Sequence, residues 1–254
     1  MSTPKSRNYL LFATGELLLV VVGILIALQI NNWNEDRQEQ RQITEYARAL
    51  INDLEADIEM VEPIIRQTKR IKDLADGMAL YVRSRSVEEI DNLDLFYLTE
   101  DTTYRPFSWN RAALQQLINS GALRQMKNGD LVRQISNYDA YTRHLDEDYA
   151  HDRDQGEIVG VLGNEVVDRN YPARDGTDSL SWMSPYSFPP VELYDVYSDI
   201  DLRLLTDDIS KIKVLVNNFN KLAGQINIRH THELPTLKER AEHLIDLLES
   251  EYPE

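Results

Sequence analysis

The chain has 254 residues, with 43 acidic side chains against 27 basic ones, a formal net charge of −16, 42% hydrophobic residues and no cysteine. Charge of this sign repels nucleic-acid phosphates and anionic lipid surfaces, and the missing thiol excludes disulfides, thiolate nucleophiles and cysteine-ligated metals. The apolar residues recur regularly enough to build a packed core, and the length suits a membrane segment plus one domain of about 150–220 residues.

Residues 1–8 read as a short cytoplasmic segment carrying Lys5 and Arg7. The next segment, YLLFATGELLLVVVGILIALQI (residues 9–30), holds one formal charge in 22 residues. As a helix it spans about 33 Å, close to the thickness of a bilayer's hydrocarbon core. It outruns the apolar stretch of a cleaved signal peptide, and Ala27-Leu28-Gln29 is a poor cleavage site, so it reads as an uncleaved signal anchor. Tyr9 and Trp33 suit the two interfacial belts. Lys5 and Arg7 precede the segment undiluted by acid, whereas Arg37 and Arg41 beyond it are interleaved with Glu35, Asp36 and Glu39. The expected topology is a single pass through a bacterial inner membrane, N-terminus cytoplasmic and body periplasmic.

Glu16 is a carboxylate inside this apolar run, and such a group usually faces protein. At about 100° per residue, Tyr9, Glu16, Val20, Gly23 and Ala27 fall on one stripe. Gly23 and Ala27 form a small-xxx-small pair, which lets two helix backbones approach closely. The stripe is expected to dock against a partner helix; the alternatives are a Glu16 that snorkels to the headgroups or serves as a proton relay or ligand. No histidine lies in residues 9–30, so the usual axial ligand of a haem or chlorophyll is absent there, and no cofactor is expected.

The run NYLLFATGELLLVVVGILIALQINNWNED, with its early Gly-Glu pair and its GILIALQINNWNE exit, resembles the N-terminal signature of a bacterial family of single-pass membrane proteins with no assigned function. The segment LQQLINSGALRQMKNGDLVRQISNY is similar to that family's second recurring segment, a helix ending in Ser-Gly followed by another helix. The resemblance implies the topology and supplies no reaction, substrate or cofactor.

Residues 31–85 are expected to form a stalk and the first bundle helices, with an apolar stripe over Ile43, Ala47, Leu50, Leu54, Ile58, Val61 and Ile65. Pro63 is expected to kink or break it; the stripe resumes at Ile71, Leu74 or Ala75, and Met78. Residues 86–254 are expected to form the rest of the bundle. Ser86 to Glu89 is a capping-box signal, and Asp101 to Phe107 reads as a loop punctuated by Pro106. Ser108 is placed to cap a helix that Gly121 ends in a left-handed cap. Asp130 is placed to cap the next helix, whose face is Leu131, Ile135, Tyr138, Thr142, Leu145 and Tyr149. Gly156, Gly160 and Gly163 weaken its continuation, although Val159, Leu162 and Val166 can still pack. Residues 171–190 read as an irregular loop. Thr206, Asp207 and Asp208 open a helix running to about His232, Pro235 interrupts it, and Thr236 with Glu239 caps the last helix. The expected fold class is all-α, an antiparallel helical bundle continuing from one transmembrane helix.

His144, Glu147, Asp148 and His151 share one helix face. Only one of the histidines plus a neighbouring carboxylate can share an ion, and other helices would have to complete the shell; a solvated polar face is the expectation. His230 and His232 point to different sides. No phosphate loop, nucleophile elbow or zinc-protease motif occurs, so no catalytic or metal-binding residue is expected and the protein is read as no enzyme. The expected function is that of an accessory or structural subunit, docking through its transmembrane helix with other membrane-protein subunits in the lipid bilayer and bracing a complex, respiratory, photosynthetic or transport in kind. The alternative is a helical-bundle sensor signalling through a partner, against which stands the shortness of residues 1–8.

Overall fold

A computed structural model describes residues 4–99, 101–104, 109–171, 197 and 199–253, with side chains from residue 16 onward. Pro106, Ser108 and the loop expected at 171–190, apart from Tyr171, lie outside the described residues. No strand occurs among those that are described. The helices are α1 (Pro4–Arg83), α2 (Asn92–Leu98), α3 (Ala112–Asn119), α4 (Ala122–Gln125), α5 (Gly129–Val166), α6 (Ile209–Ile228) and α7 (Leu234–Glu251). A 3-10 turn covers Val87–Glu89, and a π turn, Arg229–Glu233, joins α6 to α7.

Helix α1 runs through Pro63 unbroken, which corrects the break expected there. Pro63 itself is buried, beside a seam of buried positions at 43, 47, 50, 54, 57, 61, 64, 68, 71, 75, 78 and 82. The seam alternates steps of four and three without a phase change across the proline. Packing on both sides therefore holds the rod through the one hydrogen bond that proline cannot donate. The register places Asp57, Ile64 and Thr68 inside, and leaves Ile58 and Ile65 only partly buried.

Three rods make the bundle. Helices α1 and α5 both pack against the third, formed by α6, the π turn and α7. Arg48 bonds the carbonyl of Pro253, and Asn128 bonds Glu251 at 3.0 Å, whereas Gln155 bonds Asn218 at 3.3 Å. The third rod thus runs antiparallel to both α1 and α5. The Asp57–Tyr138 bond shows that α1 and α5 run in the same direction. Short α2, α3 and α4 lie in the crossover between them, and Gly121, at φ 80°, turns α3 into α4.

The capping box expected at Ser86 is present, with Glu89 Oε2 accepting from the Ser86 N–H at 2.8 Å, on a 3-10 turn. Other caps differ in detail from expectation. Asn128, not Asp130, caps α5 by accepting from the N–H groups of Asp130 and Leu131. Asp208 caps α6, accepting from Ser210 at 2.8 Å. Pro235 does not interrupt the third rod, and no Thr236 cap forms: Pro235 stands at the start of α7, immediately after the π turn. Its ring would crowd a carbonyl in an ordinary turn, and the widened turn makes room. The extra residue also keeps the core stripe in phase, since buried Arg229 is followed by buried Leu234, Leu237, Ala241, Leu244 and Leu248.

Helix α5 continues past its three glycines to Val166. At Gly156 the reason is contact: a Cβ there would stand 2.2 Å from the Thr102 carbonyl oxygen, whereas one on Gly160 would meet nothing within 4 Å. Gly156→Ala should therefore lower stability by about 1–3 kcal/mol by pushing the 101–104 segment off α5. Gly160→Ala should be neutral or gain up to about 1 kcal/mol of helix propensity. Equal urea midpoints for the two variants would show that the segment does not rest on Gly156.

Candidate functional site

Two places in the fold concentrate unusual side chains. The first is the stripe on the apolar run of α1. Tyr9 lies on the backbone of α1, its side chain outside the described set; Glu16, Val20, Gly23 and Ala27 are exposed, and a Cβ on Gly23 would meet nothing within 4 Å. Leu17 to Ile30 present apolar side chains all round the helix. Among the described residues this is the one helix long and apolar enough to cross a membrane by length and composition, and none of its apolar window is buried. Trp33 is exposed just beyond, with the Arg37 guanidinium over its ring at 5.6 Å.

The second place is midway along the bundle, where α5 faces the π turn. Asp152 is 1% exposed and occupies the core register of α5, the positions Leu131, Tyr138, Leu145, Asp152, Val159 and Val166 all being buried seven residues apart. Its partner is Arg229, which donates from Nε to Asp152 Oδ2 at 2.9 Å and from Nη2 to Oδ1 at 3.3 Å. The Tyr104 hydroxyl donates to the same Oδ2 at 2.8 Å. Arg229 Nη1 donates to Glu233 Oε2 at 2.7 Å and lies 3.1 Å from Asp148 Oδ2.

Burial opposes the charge of Arg229, yet the hydrogen bonds and charges of Asp152 and Glu233 outweigh it and raise its pKa. Burial, with Asp152 beside it, pushes the Tyr104 phenol well above its ordinary range, so it stays a donor. Burial likewise raises the Asp148 carboxyl, opposed by Arg229 and supported by Glu233. On the outer side, His144 Nε2 lies 3.3 Å from Asp148 Oδ2 and 3.7 Å from Glu233 Oε1. Tyr141 donates to the Glu233 carbonyl at 3.1 Å, fixing the end of the π turn to α5. A groove of about 600 Å³ between α5 and α7 opens beside His144, lined also by Tyr141, Arg240 and His243. The Arg240 guanidinium lies over the Tyr141 ring at 4.1 Å.

Of the four residues on the polar face of α5, the fold thus brings His144 and Asp148 together with Glu233, and leaves Glu147 and His151 exposed. His232 is exposed, while His230 is turned toward α1 near Lys69, Lys72 and Asp73, with burial lowering its pKa. Arg229, Asp152 and Tyr104 escaped the sequence reading. Asp152 does carry a sequence signal, a carboxylate falling on the apolar seven-residue period of α5. Arg229 and Tyr104 carry none, because their partners lie 77 and 48 residues away.

A separate buried carboxylate, Asp57, ties α1 to the crossover. It accepts from the Asn110 N–H at 2.8 Å and from the Tyr138 hydroxyl at 2.9 Å. Asp53 accepts from the Ala113 N–H at 2.9 Å, serving the start of α3 from a neighbouring helix.

A family model described as a family of unknown function (DUF6090) matches residues 16–164, more than half of the chain. No curated protein and no solved structure matches it.

Two outcomes test these clusters. Arg229→Met leaves Asp152 buried without its counter-charge and should cost about 3–5 kcal/mol at neutral pH, read from urea unfolding; a loss near zero would contradict the pairing. At Asp57, burial raises the folded pKa above 3.8, against the lowering effect of its hydrogen bonds from Asn110 and Tyr138. The stability this group contributes is full below 3.8 and lost as pH rises through the folded value. Asp57→Asn has no such loss, so its stability should gain on the wild type between pH 4 and pH 7. A wild-type advantage that grows over that range would contradict the assignment.

Proposed function

We propose that this chain, which belongs to the DUF6090 family of unknown function, is a membrane-anchored accessory protein that docks through its transmembrane helix into a multi-subunit membrane complex and braces it on the periplasmic side. The observation that carries this reading is the unbroken course of α1 from Pro4 to Arg83. The apolar run and the first rod of the bundle are one helix, so a partner gripping the membrane end holds the body at a defined angle and distance. A loose tether would need no such continuity.

Further support comes from the apolar run itself. It is exposed on every side and packs against nothing among the described residues, a condition that suits lipid and partner helices and is a liability in water. The stripe of Tyr9, Glu16, Val20, Gly23 and Ala27 supplies a docking face, with Glu16 facing protein and Gly23 with Ala27 admitting a close backbone. Lys5 and Arg7 hold the N-terminus in the cytoplasm of a bacterial inner membrane. A second reading, a ligand-responsive bundle, draws support from the polar groove beside the π turn, since π turns recur at functional sites.

The test is native gel mobility of the full chain extracted in mild detergent. The wild type should migrate in an assembly larger than itself. Glu16→Leu should release the chain while leaving insertion intact, because leucine is the cheaper residue in lipid. Gly23→Ile should release it by steric bulk, and Leu18→Ile, away from the stripe, should have no effect. Identical mobility for all four chains would remove the stripe as an interface.

A further inference from the structure

Asp148, Asp152 and Glu233 converge on one guanidinium. Three carboxylates against one cation leave two formal negative charges in excess, in a place where Asp152 is sealed from solvent and the Asp148 and Glu233 side chains are only 14% and 15% exposed. Such an excess is costly without a further cation. Arg229 is fully engaged on its own side: Nε and Nη2 serve Asp152, and Nη1 serves Glu233 Oε2.

Glu233 Oε1 and His144 Nε2 lie outside that fork, Asp148 Oδ2 stands at its edge 3.1 Å from Nη1, and one donor atom from each of these residues lies within 4.8 Å of the others. Asp148 Oδ2 is enclosed, yet among the described residues it accepts no hydrogen bond of good geometry, despite two nitrogens nearby. Hydrogen bonding therefore leaves its lone pairs available to a cation. The separations of His144 Nε2, 3.3 Å to Asp148 Oδ2 and 3.7 Å to Glu233 Oε1, are close to the edge of about 3.3 Å in a tetrahedron with bonds of about 2.0 Å.

We infer that His144, Asp148 and Glu233 bind a divalent transition-metal cation of the zinc class. One imidazole and two carboxylates form a borderline donor set, suited to such an ion and poor for the all-oxygen shells that calcium and magnesium prefer. The ion brings the cluster to formal neutrality. Second-sphere groups are already in place, with Arg229 bonded to the far oxygen of Glu233 and Tyr141 bonded to that residue's carbonyl. Two of the ligands come from α5 and the third from the end of the π turn, so the metal cross-links the second and third rods. His144 borders the groove, leaving a fourth position toward solvent.

The inference is tested on the full, untagged chain in detergent, stripped with chelator and titrated with ZnCl2 by calorimetry. The wild type should bind one zinc per chain and melt at a higher temperature with zinc than without. His144→Ala changes an exposed side chain and should weaken binding by at least about tenfold with an unchanged circular-dichroism spectrum. Glu233→Gln should weaken it similarly, and His151→Ala should bind as wild type does. Wild-type affinity in His144→Ala, or calcium binding as tight as zinc, would overturn the site, because the acids alone would then be collecting cations. Absence of stoichiometric zinc binding by the wild type would overturn it directly.

Discussion

Helix α1 lies under two different packing conditions along one continuous backbone, and the rest of the molecule is arranged around the second. From Leu17 to Ile30 exposed apolar side chains occupy every face, Gln29 being the one polar residue. From Ile43 to Val82 burial follows a seam of alternating four- and three-residue steps, with Pro63 buried beside it. That seam is the surface on which α3, α6 and α7 assemble. Because both parts belong to one helix, the direction of the bundle follows from the direction of the apolar segment. The third rod returns antiparallel and brings the C-terminal residues back beside Arg48, toward the apolar end of α1.

Apolar packing along such a seam tolerates sliding by a heptad, and two buried carboxylates remove that freedom. Asp57 finds its donors only where Asn110 and Tyr138 meet it. Asp152 finds Arg229 and Tyr104 only when α5, the third rod and the 101–104 segment are in one register. Each unpaired alternative would strand a charge in the core at a cost of several kcal/mol. These two layers also fix the functional geometry. The first sets the crossover against α1, and the second sets the π turn against α5, where His144, Asp148 and Glu233 converge.

Much of this was legible in the sequence where a residue's role depends on its neighbours along the chain. The apolar run, the face of α5 from Leu131 to Leu145, the left-handed Gly121 and the face of α7 all follow from local spacing. Proline and glycine misled for one shared reason. Pro63, Pro235 and Gly156 are unfavourable to an isolated helix, and each is outweighed by packing: a seam that keeps phase, a widened turn, and a carbonyl that needs the missing Cβ. Along α1 the apolar residues alone point to Ile58 and Ile65, whereas the register runs through Asp57 and Thr68. Half of the polar cluster was visible as His144 and Asp148 on one face. The other half, Arg229 and Glu233, lies more than seventy residues away and is joined to it only by the fold.

Helix α1 is one rod, apolar and exposed at its start and bundled at its end. The chain has no cysteine, so single cysteines introduced from residue 17 to residue 54 report their surroundings without background. Their reactivity toward a membrane-impermeant thiol reagent, applied from the periplasmic side of intact cells, is the direct measurement. Protection is expected at every position from 17 to 30, open reactivity from 34 to 41, and then protection recurring at 43, 47, 50 and 54 with the intervening exposed positions reactive. Uniform reactivity across 17–30, or reactivity at 34–41 that appears only after lysis, would contradict an anchored rod with a periplasmic body.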